Sequence, residues 1–202
     1  MKTKLFLATI LISLTGYVYA SSDSVEFAND SRSLKDFSSI IINSTANVIV
    51  SQEEGTAIRI EGDKKDVQAT TTEVANGTLS IYGTNSNPVT IYISTKELNL
   101  IEVNSNARVY ARGVINSDVL LMKVNGNGTI KMDVRALTLG LMIKGEGRII
   151  VSGSTGDSFS KIIGKGTIYS SNLDSRSERS IKSSPLIDCK LCSTIVPKSF
   201  NK

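Results

Sequence analysis

Cys189 and Cys192 form the tetrapeptide "CKLC" and are the only thiols in the 202-residue chain. That spacing supports redox catalysis when it sits in a βαβ unit of thioredoxin type, and no such text surrounds it here. Two thiols alone make a poor metal site. In an exported chain the pair is expected to close a small disulfide loop that stiffens the tail. The chain contains no histidine. That removes the commonest general base, every Ser-His-Asp or Cys-His arrangement and most zinc sites. Carboxylates are the remaining acid–base candidates, and they are dispersed. Asp63 and Asp66 flank Lys64 and Lys65, while Glu53 and Glu54 are adjacent, so a strand would turn them to opposite faces. Both groups read as solvated turn charges. The stretch "GKGT" at Gly164 lacks the phosphate-loop spacing, and no third glycine falls three residues after Gly128, Gly147 or Gly166 as a dinucleotide fingerprint requires. Neither a catalytic site, nor a metal site, nor a cofactor is expected.

The elements that carry these residues are strands. From about Ile40 the text runs in short segments rich in Val, Ile, Leu, Thr and Tyr, such as "NVIVSQ", "AIRIEG" and "VTIYIS", punctuated by Asn, Gly and Ser. Most alternate apolar with polar residues, as a strand with one buried face must. The nearest helical candidate, "KKDVQATTTEVANG", is weakened by its Thr run. The domain reads as all-β.

The glycine pairs explain how the strands are arranged. "VNSNARVYA" from Val103, "VNGNGTIKM" from Val124, "IKGEGRIIV" from Ile143 and "IIGKGTIYS" from Ile162 align without gaps, at spacings of 21, 19 and 19 residues. "INSTANVIV" from Ile42 fits the same columns. One small column holds Ser44, Ser105, Gly126, Gly145 and Gly164; the other holds Ala46, Ala107, Gly128, Gly147 and Gly166. A repeat near twenty residues with two strands and a tight corner predicts a parallel β-helix-like solenoid, each repeat one coil. Small residues suit a corner where the chain turns sharply, often at positive φ, with the next coil only ~4.8 Å away. The residues between the small ones (Asn106, Asn127, Glu146, Lys165) are polar and expected to face solvent. The strands before two corners, "VLLMKV" (119–124) and "LTLGLMI" (137–143), are almost wholly apolar, which suits strands covered on both faces. They are expected to be extra core, the alternative being a stripe that includes Met122 and Met142 and pairs with a second copy.

Residues 1–20 place Lys2 and Lys4 before an apolar run and end on Val18 and Ala20, the pattern of a cleaved secretory signal. Its apolar run is too short to span a bilayer, and no other segment approaches the ~20 apolar residues needed. Removing it takes away two lysines and no acids, lowering the net charge from +4 to +2. The remaining positive charge is concentrated after Arg176. A broad basic face is absent from that balance, so nucleic acid is not an expected partner. The organisation expected is a signal at 1–20, a solenoid at 21–175 and a basic, Ser-rich tail at 176–202. "SSNLDSRSERSIKSS" (170–184) reads as a polar linker.

The corners, together with the opening "LKDFSSIIINSTANVIVSQEEGTAIRIEGDKKDVQATTTEVANGTLSIYG", resemble the family called putative autotransporter adhesin, head GIN domain. The pieces that carry the resemblance are Phe37, a strand ending at Gln52, the "RIEGD" strand with Gly62, and "VANGTLSI" with Gly77, over about Leu34 to Asp174. The resemblance implies a β-helix-like superhelix, an exported location and an adhesive role. Its central corner residue is Asn, Glu or Lys here, where the family pattern has Ser. Function is thus expected to be non-catalytic binding of a surface ligand, a glycan or a protein, in the periplasm, on the outer surface or after secretion. A self-assembling homo-oligomeric envelope protein is the alternative. A carbohydrate-active enzyme on the same scaffold would need paired carboxylates or an acidic calcium cluster, which the dispersed acids do not offer.

Overall fold

The computed structural model describes residues 26–183. The signal at 1–20 and both cysteines lie outside the described residues. The elements, in chain order, are β1 (Phe27–Ser33), β2 (Ser39–Ile42), β3 (Ala46–Gln52), β4 (Ala57–Asp63), α1 (Lys64–Ala69), β5 (Thr71–Ala75), β6 (Thr78–Tyr82), β7 (Val89–Thr95), β8 (Leu100–Val103), β9 (Arg108–Gly126), β10 (Thr129–Gly145), β11 (Arg148–Gly164) and β12 (Thr167–Ser183). They form an all-β solenoid of about four turns with one short helix.

Each long strand is a whole coil. In β10, Ile130, Met132, Val134 and Ala136 are buried, and then Leu139, Leu141 and Ile143. The inward phase slips at Leu137 and Thr138, both exposed, so the chain bends there and returns. The coil is thereby flattened into two walls around one core. The first wall contains β6, β2, β8 and then the C-terminal halves of β9 to β12; the second contains β7, β3 and then their N-terminal halves. Pairing between coils is parallel, with Val109, Ile130, Ile149 and Ile168 in one file and Val124, Ile143 and Ile162 in another. β-branched side chains stack well in such files because each lies against its equivalent on the neighbouring strand. The 21-residue spacing has a local cause. Tyr110 pairs with Lys131 but Val114 with Asp133, so β9 carries two extra residues, and Gly113 there adopts φ 89°.

Coil order departs from chain order at the N-terminal end. β2 pairs with both β6 and β8, and β3 with both β7 and β9, so the 39–52 coil lies between the 78–95 coil and the 100–112 coil. Beyond the 78–95 coil, β4 and β1 add antiparallel to the second wall and β5 adds antiparallel to the first. These strands close that end of the stack, as terminal repeats must. Arg32 ties the two sides of the cap together: its guanidinium donates to Thr72 Oγ1 at 2.8 Å and to the Thr70 carbonyl at 3.1 Å.

Three readings of the sequence are corrected here. Residues 64–69 do form a helix, one turn and a half long, capped where the Asp63 carboxylate accepts the Lys65 N–H at 3.0 Å. The Thr run ends it and begins β5. Asp66 is not a solvated turn charge. It is 4% exposed, and its carboxylate accepts the N–H groups of Ser86 and Asn87 at 2.8 and 3.1 Å, pinning the corner between β6 and β7. Asp66→Ala leaves both amides without their partner and is expected to cost about 1.5–3 kcal/mol, a range typical of hydrogen bonds to charged groups. Urea unfolding of the variant checks this. The polar segment from 170, read as a linker, is instead most of β12, paired along β11 from Thr167 to Ser183.

Candidate binding surface

The corner columns lie in file along one edge of the stack. Gly126, Gly145 and Gly164 adopt φ values of 124°, 123° and 120°, and in this column a Cβ on Gly145 would meet the Gly126 carbonyl oxygen at 2.8 Å. The second column is excluded for a different reason. A Cβ on Gly128, Gly147 or Gly166 would meet the buried side chain of Val103, Val124 or Ile143 of the preceding coil at 2.5, 2.3 and 2.4 Å. In the first two coils Ser44, Ala46 and Ala107 are buried and Ser105 is half-buried, with Ser105 Oγ donating to the Ser44 carbonyl at 2.8 Å. Asn106, Asn127, Glu146 and Lys165 are exposed. These residues shape the scaffold at the corner.

The apolar strands before the corners are core on one side only. Leu120, Met122, Val124, Leu139, Leu141 and Ile143 are buried, whereas Leu121 and Met142 are half-buried and Val119 and Leu137 exposed. No layer covers the outward side of the first wall among the described residues. Polar side chains share it with the apolar ones. Asn125 Nδ2 donates to Asn104 Oδ1 at 2.7 Å and Asn104 Nδ2 to Asn43 Oδ1 at 3.0 Å, forming an amide ladder up the stack. Lys123 donates to Glu102 at 2.8 Å beside it. Leu121 lies over Gly140, where a Cβ would meet its Cδ1 at 2.6 Å.

The second wall presents a different chemistry. Pairing registers place Asn47, Arg108, Thr129, Arg148 and Thr167 in one outward row, and Tyr92, Ile49, Tyr110, Lys131, Ile150 and Tyr169 in the next. Arg59 continues that second row from the cap, its guanidinium 4.3 Å from the Tyr92 ring centroid and 3.0 Å from Glu61. Below these, Ser51 pairs with Arg112, and past the β9 bulge the exposed Val114 lies in register with Asp133, Ser152 and Asn172. A shallow depression runs between the cap and the first coils, floored by Ile49, Arg59, Tyr92 and Arg112. Among the described residues Arg108, Arg112, Lys131 and Arg148 make no ion pair. Sequence reasoning passed over these residues, although the columns beside the glycines held them.

Among the described residues no group of three or more His, Cys, Asp or Glu gathers as a metal site, and no helix is long and apolar enough to cross a membrane. Glu53 and Glu54 are exposed at a turn, and Asp66 is committed to the β6–β7 corner. The arrangement offers flat, outward-facing walls.

The profile of one protein family, described as putative auto-transporter adhesin, head GIN domain, matches residues 36–184. No curated protein matches the sequence. Solved structures share the fold at low identity. A putative adhesin from Parabacteroides distasonis ATCC 8503 superposes with a TM-score of 0.64 at 15% identity over 80% of each chain. A putative lipid binding protein from the same organism gives 0.67 at 17% identity, over 80% of this chain and 81% of that one. A putative adhesin from Parabacteroides merdae ATCC 43184 gives 0.64 at 15%, over 80% and 81%.

Proposed function

The chain belongs to the family described as putative auto-transporter adhesin, head GIN domain, and on that footing we propose that it is a non-catalytic, exported β-solenoid with an adhesin-like role, binding a surface ligand through its outer walls. One observation carries the reading: strand after strand, the second wall turns cationic, aromatic and hydroxyl side chains to solvent in continuous rows, a surface suited to recognition. The charged, apolar leader in residues 1–20 supports export, and on that reading Cys189 and Cys192 pair as a disulfide in an oxidising compartment. The division into a leader, a solenoid that runs on through β12 and a tail beyond it follows from the same reading.

The test is binding of the purified chain, without its leader, to arrays of glycans and of surface proteins. Signal is expected on a restricted set of ligands and is expected to vanish when outward side chains of one wall are replaced. No signal on any ligand would overturn the reading. The alternative, self-assembly into an envelope structure, draws support from the edge of β12, which pairs only with β11 among the described residues. Open edges accept further strands. Light scattering over a range of concentrations separates the two, because a constant monomer mass removes the assembly reading.

A further inference from the structure

We propose that the outward side of the second wall binds an acidic linear polysaccharide, a uronic-acid polymer laid along the solenoid axis. The inference rests on the adhesin-like reading above and narrows its ligand.

Charge is the first ground. In the three outward rows of β3 and β9 to β12, Arg108, Arg112, Lys131 and Arg148 face Asp133 as the one acid, and these four cations have no ionic partner among the described residues. The whole chain carries a net +4 over 202 residues, and this wall sets four cations against one acid. Guanidinium groups are suited to carboxylates because their fork of N–H donors matches the two oxygens.

Spacing is the second ground. Arg108, Lys131 and Arg148 lie on three successive strands, so one cation falls on each ~4.8 Å step of the stack. Arg108 and Arg148 share a row and are two strands apart, about 10 Å. An extended uronic-acid polymer advances by a similar distance per disaccharide and carries a carboxylate on every sugar. A compact anion such as phosphate calls for converging donors, and this wall is flat.

Aromatic exposure is the third. Tyr110 and Tyr169 are 39% and 51% exposed in the row that holds Lys131. Their rings can lie against the C–H faces of sugars while the hydroxyls stay hydrated. A lipid surface would draw on a continuous apolar face, whereas Ile49, Val114 and Ile150 on this wall are interspersed with cations, tyrosines and hydroxyls, and Leu121, Met142 and Phe159 are on the opposite wall. Each contact is weak, so affinity must accumulate over many sugars.

The experiment uses the chain without its leader and fluorescein-labelled oligogalacturonate, read by anisotropy at low and moderate salt. Long oligomers are expected to bind and the trimer much less. Full methyl esterification, which keeps the backbone and removes the charge, is expected to weaken binding by about tenfold or more, and the double variant Arg108→Gln/Arg148→Gln likewise, given several weak ionic contacts acting together. Tyr110→Ala is expected to weaken it severalfold. Lys144→Gln/Lys161→Gln removes the same charge from the other wall and is expected to change nothing. Equal loss in both double variants would overturn the proposal as non-specific attraction. So would binding of anionic phospholipid vesicles or single-stranded DNA that matches the oligomer's and depends on the same arginines. An array ligand whose binding survives Arg108→Gln/Arg148→Gln, with no uronate binding, would overturn this proposal and leave the adhesin-like reading standing. Absence of every ligand would overturn both.

Discussion

Gly147→Val is expected to destroy the cooperative fold, lowering stability by at least ~4 kcal/mol, since the change combines overpacking with broken backbone pairing. A Cβ at this position would lie 2.3 Å from Val124 Cγ1 and 2.7 Å from the Gly128 carbonyl oxygen. Val124 is fully buried and held between files, so it has nowhere to move. The Gly128 carbonyl accepts the Arg148 N–H at 2.9 Å, and displacing it breaks the ladder at the start of β11. Valine adds two methyl groups to that clash. For a domain of this size, ~4 kcal/mol corresponds to a melting temperature lower by roughly 10 °C or more. Two controls isolate the cause. Glu146→Ala alters the same corner at an exposed side chain, and Gly55→Ala alters a glycine with nothing within 4 Å of its Cβ. Both are expected within about 0.5 kcal/mol of the parent. Thermal unfolding followed by circular dichroism measures all three, and a Gly147→Val transition close to the parent's would show that the space between coils does not restrict this column.

Those corners were legible because their constraint acts on one residue at a time and recurs every coil. Steric exclusion leaves only Gly, Ala or Ser, and five aligned copies make the pattern visible without any structure. The inward files were legible for the same reason: Val109, Ile130 and Ile149 occupy one column and answer to one packing environment. Other parts of the fold are held by contacts that leave no column. The corner between β6 and β7 turns through "GTNSNP" and is fixed from outside by the Asp66 carboxylate, so it needs no glycine pair, and the 78–95 coil escaped the alignment. Its place beyond the 39–52 coil depends on strand pairing across long stretches of chain, which no local pattern encodes. β12 escaped for another reason. Its inward positions Glu178, Ser180 and Lys182 pair with Ser158, Ser160 and Ile162, but β12 is the last described strand of the stack and these side chains are exposed. No apolar alternation is required there, and a polar strand reads as a linker. The arginines and tyrosines of the second wall were present in the aligned columns beside the corners. Charge and aromaticity vary from coil to coil in those columns, and only the pairing registers show that successive coils place them in continuous rows.

Ile130→Ala should reveal how the coils depend on one another. Ile130 is fully buried in the file that runs Ile60, Ile91, Val48, Val109, Ile130, Ile149, Ile168, two strands from its C-terminal end. Truncating a buried isoleucine to alanine costs about 2–5 kcal/mol, because the transfer energy is lost and the cavity only partly closes. In a stack where each coil touches only its neighbours, that loss does not spread evenly. The N-terminal end is closed by β1, β4, β5 and α1, and Arg32 bridges the two sides of that cap. At the other end of the described residues β12 has a strand on one side alone. Inward packing also thins in that direction, since Leu139 and Leu141 are followed in their files by Ser158 and Ser160. Weakening the interface at β10 should therefore release β11 and β12 while the capped coils persist. Residue-resolved hydrogen exchange is expected to show protection falling most in β11 and β12, less in β9, and least in β2, β3 and β7. The outward neighbour Lys131→Ala, which touches no core file, is expected to leave the exchange pattern unchanged. Uniform loss of protection from β2 to β12 would mean that the solenoid unfolds as one unit and that the cap confers no local advantage.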